Sequence, residues 1–161
     1  MPNADVPFRS STMRVEEDWI DYNGHLNMAY YNVLFDRAID EAFINIGLGP
    51  DYVKKENASY FTAETHLCYI RELSPGDEVS VTTQIVGFDA KRIHAFQELH
   101  HADGWLSATS EQMSLHVDMK ARKVAPFPPA IADRLAHFAK LHEALGRPER
   151  AGRSIGLPAK R

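Results

Sequence analysis

The residues that could do chemistry gather early in the chain. Asp21 stands three residues before Gly24 and six before Asn27, in the stretch Asp18-Trp19-Ile20-Asp21-Tyr22-Asn23-Gly24-His25-Leu26-Asn27. Asn27 is a residue type that caps helices. The segment from Met28 to Ile46 then carries apolar side chains at 34, 35, 38, 39, 42, 43 and 46, a stripe of helical period. Gly47 offers the stop. The spacing therefore predicts a carboxylate in a turn that feeds a long buried helix. The N–H groups of a first helical turn have no partner inside the helix and can hold negative charge. A carboxylate beside such an anion site is the minimum equipment for acyl transfer. The same residues also describe a capped helix behind an ordinary polar turn, and the two readings stand side by side. Asp18 is a competing carboxylate, read as a strand-end or surface residue.

The elements that must position this stretch follow from periodicity. Residues 1–11 read as a lead-in with Pro2 and Pro7, and Thr12 to Trp19 as a short first strand. After Gly47-Leu48-Gly49-Pro50, one helical turn is expected near Asp51. Ser59 to Ile70 reads as a strand with Phe61, Ala63, Thr65, Leu67 and Tyr69 on one face and Glu64 and His66 together on the other. Ser74-Pro75-Gly76-Asp77 is a turn. Three alternating strands follow: Glu78 to Phe88, Arg92 to His101 and Trp105 to Met119, the last two joined across Asp103-Gly104. Parity sends Glu111 and His116 to opposite faces. A second helix is expected from Ala130 to Leu145, and a basic tail over 147–161, either disordered or laid on a partner subunit. Strands in series with helices set apart give the α+β class. The natural packing is an antiparallel sheet wrapped around the long central helix, as one domain over 12–146. Long strands with open edges call for a partner, and a homodimer is the simple answer.

Composition narrows the functions. A chain of 161 residues with 44% apolar and 25% charged residues is that of a soluble globular domain. A net charge of -4 argues against a nucleic-acid surface. The lone Cys68 permits no internal disulfide and reads as a small buried hydrophobe. The start lacks the basic and apolar regions of a signal peptide, and no apolar run would span a membrane, so a cytoplasmic location is expected. The eight histidines show no His-x-x-x-His spacing. No metal or other cofactor is therefore expected. No Gly-x-Ser-x-Gly elbow or glycine-rich phosphate loop is present.

The Asp21-x-x-Gly24-His25-x-Asn27 turn before a long helix, the Ser74-Pro75-Gly76-Asp77 turn and the His116-Val117-Asp118 strand ending resemble the hotdog-fold thioesterases, in the branch typified by 4-hydroxybenzoyl-CoA thioesterase. The likeness covers roughly residues 12–130. Three phrases, from Trp19 to Asn27, Ser59 to His66 and Glu111 to Asp118, look like the thioesterase module found with carnitine dehydrogenases, which implies hydrolysis of betainyl-CoA. The resemblance implies that Asp21 attacks the thioester carbonyl or activates water, and that the Met28 amide polarises the thioester oxygen. His25 and Asn27 would position water or the carboxylate, or cap the helix. Glu64 and His66 would form a second catalytic or substrate-binding pair, or a cross-strand hydrogen bond. A betainyl trimethylammonium would use aromatic faces, for which Trp19, Tyr22, Tyr30, Tyr31, Tyr60 and Phe61 are candidates against a core role. The CoA phosphates would use Lys91, Arg92, Lys120, Arg122 and Lys123. The partners implied are an acyl-CoA substrate and a second copy of the chain, as a homodimer or a tetramer of dimers. Two rivals remain: an acyl-CoA or acyl-carrier-protein hydratase or dehydratase of the same fold, which would want Glu64 with His66, and a silent acyl-CoA-binding module.

Overall fold

The structure, a computed structural model, describes residues 6–160; Met1 to Asp5 of the lead-in lie outside them. In chain order it contains β1 (Phe8–Arg9), β2 (Met13–Arg14), a 3-10 turn (Glu17–Trp19), α1 (Met28–Ile46), α2 (Pro50–Glu56), β3 (Ala58–Tyr69), β4 (Glu78–Phe88), β5 (Arg92–His101), β6 (Leu106–Asp118), β7 (Lys123–Val124) and α3 (Pro129–Glu143). The sheet is antiparallel in the order β1-β4-β5-β6-β3, with β2 also on β4 and β7 on β6. The expected single strand from Thr12 to Trp19 is instead the two-residue β2 followed by the 3-10 turn. The lead-in is ordered from Phe8, which pairs with Thr83 and is 3% exposed.

Two apolar clusters join α1 to the sheet. Leu34 and Phe35 pack with Val79, Val81, Leu99 and Ala108. Phe43 and Ile46 pack with Ile85, Ile93 and Ala95, and also with Leu135 and Phe138 of α3. Both helices therefore cover one face of the sheet. Leu34, Phe35, Phe43 and Ile46 are fully buried, each stabilising the fold by roughly 1.5–3 kcal/mol. The core under α1 also contains amides. The Gln97 side-chain N–H donates to the Phe35 carbonyl and the Thr83 hydroxyl, each at 3.1 Å, and Gln112 donates to Gln97 at 2.7 Å. Satisfied in this way, the pair fixes the rotation of α1 over the strands.

A bulge changes the faces of β3. The β3–β6 register passes from Thr62↔Ser114 to Glu64↔Met113, leaving Ala63 unpaired. Tyr60 and Thr62 face the helices before the bulge, as do Thr65, Leu67 and Tyr69 after it. Phe61, Glu64 and His66 turn to the outer face, opposite Leu115, Met113 and Glu111 respectively. The single face expected for Phe61 through Tyr69 thus breaks at Ala63. The tail also departs from expectation. Its Gly152 N–H donates to both Glu111 oxygens, at 3.0 and 2.7 Å, so it first lies over its own sheet. Among the described residues, no helix is long and apolar enough to cross a membrane.

His142 locks α3 to the sheet and gives the fold a pH dependence. Its ring is fully buried, and its Nδ1 accepts the Ile85 N–H at 2.8 Å. Burial holds its pKa down from 6.5 to about 4. The ring is neutral when folded and gains a proton more readily when unfolded. The stability it contributes is therefore complete above the unfolded pKa of 6.5 and is lost as pH falls towards 4, an effect of about 3 kcal/mol. Urea unfolding of His142→Leu should give a lower plateau at pH 7.5, because Ile85 loses its acceptor, and a flatter decline between pH 6.5 and 4.5 than wild type. Equal declines would remove His142 from the acid response.

Candidate active site

The stretch before α1 closes on itself. Ile20 bridges Leu26, the Asp21 N–H donates to the His25 carbonyl at 3.0 Å, and the Gly24 N–H donates to the Asp21 carbonyl at 2.9 Å. Gly24 sits at φ +78°, a conformation that disfavours other residues. Asp21 Oδ1 accepts the Asn23 N–H at 2.8 Å, while its Oδ2 has no hydrogen-bond partner among the described residues. Leu26 is buried and its N–H donates to the Leu73 carbonyl, which ties the turn to the chain leaving β3.

The helix start is pinned on both sides. The Asn27 N–H donates to the Trp19 carbonyl at 2.9 Å, and the Asn27 side chain accepts the Ala29 N–H at 3.0 Å. The Tyr30 N–H takes the Asn27 carbonyl at 3.0 Å. Among the described residues, the Met28 N–H donates to nothing. Met28 and Asp21 both line a cavity of about 340 Å³, together with Leu26, Tyr31, Tyr69, Ile70, Arg71 and Glu72. Tyr69 closes one wall: its hydroxyl donates to the Met28 carbonyl at 2.9 Å, and its ring meets Tyr31 edge-on at 5.0 Å. Burial raises the pKa of both phenols, with the charges of Glu72 and Asp21 adding to it at Tyr31 and Tyr31 adding to it at Tyr69, so both stay protonated at neutral pH. The arrangement brings to one cleft a carboxylate with a free oxygen and a residue whose backbone amide is unspent.

The other sequence candidates fall elsewhere. Asn27 caps the helix, and His25 gives the turn its carbonyl without lining the cavity. Trp19 is buried, stacked on Tyr30 at 5.7 Å and covered by the Arg37 guanidinium at 5.2 Å, so it supports the turn. Tyr22 is 98% exposed, and Asp18 is exposed on the 3-10 turn. The Tyr60 hydroxyl donates to Asp40 in a second, larger cavity of about 600 Å³ that also holds Asp36. Burial and the Asp40 charge raise the Asp36 pKa. Glu64 and His66 share a face, as parity required, but it is the outer one, beside the His94–Glu111 pair at 2.7 Å. Tyr69, Arg71 and Glu72 were not singled out from sequence: their nearness to Asp21 arises only when β3 closes against the helix start. Among the described residues, no group of three or more His, Cys, Asp or Glu side chains could hold a metal ion.

Residues 15–135 match the thioesterase-like superfamily. The chain is 41% identical over 146 residues to the betainyl-CoA thioesterase of Pseudomonas aeruginosa, covering 88% of this chain and 89% of that one. It is 39% identical over 155 residues to the L-carnitine dehydrogenase/betainyl-CoA thioesterase of Rhizobium meliloti, covering 96% of this chain but 31% of that longer protein. The crystal structure of a proposed thioesterase from Pseudomonas putida superposes with a TM-score of 0.82 at 42% identity, over 99% of both chains. A Staphylococcus aureus protein solved in complex with CoA gives a TM-score of 0.85 at 32% identity, over 92% of this chain and 94% of that one. In fold and in sequence alike, across the turn, the central helix and the sheet, the chain belongs to the thioesterase-like superfamily.

Proposed function

We propose that this protein hydrolyses acyl-CoA thioesters, with betainyl-CoA as its substrate, giving glycine betaine and CoA. The observation that carries the reading is the cavity lined by both Asp21 and Met28, the residue whose N–H has no acceptor among the described residues. A thioester carbonyl seated there has its oxygen on the Met28 amide and its carbon in reach of Asp21. Asp21 either attacks that carbon or takes a proton from a water that does. In both routes negative charge develops on the carbonyl oxygen, the C–S bond breaks and CoA leaves as a thiolate. Where Asp21 attacks, water then hydrolyses the acyl–Asp21 anhydride and frees the carboxylate. In both routes the proton lost by the attacking water passes to the thiolate. Hydrogen bonding to the developing oxyanion is worth about 3 kcal/mol of barrier. The superfamily and the Pseudomonas aeruginosa relative support the same chemistry. The hydratase reading needed Glu64 and His66, which face away from this cavity, and a silent binder has no use for the free Asp21 oxygen.

The acyl group and the assembly belong to the same proposal. β3 is a twelve-residue edge with a neighbour on one side only, carrying exposed Phe61 and Tyr69. A homodimer formed by antiparallel pairing of two such edges, centred on the strand, would set Tyr69 beside the partner's Ala58. It would bring the Asp21 cleft of one copy next to the Asp36, Asp40 and Tyr60 cavity of the other. Carboxylates with an aromatic ring suit a trimethylammonium, which cannot donate a hydrogen bond.

With thiol release followed colorimetrically, betainyl-CoA should be turned over with a kcat/KM at least tenfold above that of acetyl-CoA. Parity between them would leave the thioesterase and remove the betainyl assignment. Asp21→Asn should fold with an unchanged Tm and lose roughly a thousandfold in kcat. Retention of near-normal kcat would take Asp21 out of the mechanism.

A further inference from the structure

The C-terminal tail crosses the outer face of the sheet transverse to its strands. Gln84, Phe96, Glu111 and His66 stand opposite one another on β4, β5, β6 and β3. Cross-strand partners share a face, so the four form one row. The tail is tied to that row at two points. The Gln84 side-chain N–H donates to the Gly146 carbonyl at 2.7 Å, and the Gly152 N–H donates to Glu111. Phe96 stands between them on the face away from the helices and is yet only 3% exposed. From Gly146 to Gly152 the tail therefore passes from β4 to β6, with only β3 left before the open edge of the sheet.

Beyond Gly152 the tail carries apolar side chains with nothing to pack on. Ile155 and Leu157 are 91% and 97% exposed. They alternate in the uncharged run Ser154-Ile155-Gly156-Leu157-Pro158-Ala159, and an extended segment of that pattern presents both on one side. The outer face also holds an apolar groove of about 500 Å³, lined by Phe61, Leu115, Val117, Met119 and Val124. Arg122 and Lys123 line it too, which suits an uncharged segment better than the basic residues on either side of it. The groove of the tail's own protomer lies along the strands from Glu111, off the line the tail follows, and Ile155 and Leu157 do not enter it.

The partner's groove lies on that line. In the antiparallel pairing that sets Tyr69 beside the partner's Ala58, His66 stands beside the partner's Phe61, which faces the partner's Leu115. The row thus continues across the interface. At about 4.8 Å per strand, Glu111 is roughly 10 Å from the partner's Phe61 and roughly 15 Å from the partner's Leu115. Ile155 and Leu157 follow Gly152 by three and five residues, which is roughly 10 and 17 Å of extended chain.

We propose that residues 154–159 of each copy cross the shared β3 edge and seat Ile155 and Leu157 in the partner's groove. Two-fold symmetry makes the exchange reciprocal, so that two tails clasp one dimer. The inference rests on the β3-edge homodimer and goes beyond it, by giving the tail a place in the assembly.

The test uses cysteine pairs in a Cys68→Ser background. Leu157→Cys with Leu115→Cys should, under mild oxidation, form a disulfide between copies, seen as a dimer band on a non-reducing gel from protein that sediments as a dimer. A bond within one chain, which consumes both thiols and leaves a monomer band, would overturn the proposal. So would the absence of a bond, or a band no stronger than that of either cysteine alone. Ending the chain at Arg153 keeps the Gly152 anchor and should raise the dimer dissociation constant at least tenfold in sedimentation equilibrium, because the apolar side chains of both tails are lost from the grooves. An unchanged constant would also reject it. Thr62→Cys with Thr65→Cys, positions that the edge pairing sets opposite each other, tests the dimer separately. If this pair links two copies and the tail pair does not, the dimer stands and the tail docking falls. If neither pair links, or wild type sediments as a monomer, both fall.

Discussion

Everything at the candidate site depends on one amide left without a partner. A helix begins with N–H groups that its own ladder cannot satisfy, and here the surroundings absorb those beside Met28 and omit Met28 itself. The Asn27 side chain takes Ala29, the Asn27 carbonyl takes Tyr30, and the Trp19 carbonyl holds Asn27. The unused donor is thereby held in a fixed direction, with the Tyr69 hydroxyl bracing the carbonyl of the same residue. An amide fixed before the reaction needs no reorganisation when charge develops on a carbonyl oxygen, which is why such donors are effective.

The rest of the fold keeps that amide and Asp21 in register. Leu26 anchors the turn in the core, and the Gln97–Gln112 pair sets α1 at one angle over the strands. The sheet gives its two faces different work. The face towards the helices closes the cleft through Tyr69 of β3, which meets Tyr31 of α1. The outer face carries the Glu64, His66, His94 and Glu111 cluster, and the C-terminal tail is fastened there through Gly152. The bulge at Ala63 is the point of separation, because without it Glu64 and His66 would turn towards the helices.

The parts legible in sequence were those written in local periodicity and capping. The bounds of α1, its Asn27 cap and its Gly47 stop follow from neighbouring residues, and so do the four long strands and the turn that holds Asp21. Features that arise from tertiary closure were not legible. A bulge needs only one unpaired residue, and Ala63 carries no mark of it. The pairs Phe8–Arg9 and Met13–Arg14 are too short to show alternation. From sequence Trp19 could be a ligand aromatic or a core residue, and only its burial and its stacking on Tyr30 and Arg37 place it as a support. Tyr69 and Arg71 reach the cleft from a strand end some fifty residues beyond Asp21 in sequence, a nearness no local pattern encodes.

The most direct measurement removes the Met28 amide hydrogen, with Met28→Ala as the control for the side chain lost at the same time. Met28 is the first residue of α1, a position where proline is tolerated in a helix. Asn27 before it is already extended at φ -61° and ψ 140°, as a residue preceding proline must be. Met28→Pro should therefore keep the Tm of wild type within a few degrees while kcat on the preferred CoA thioester falls on the order of a hundredfold or more. A folded Met28→Pro protein that turns over at the wild-type rate would contradict the account.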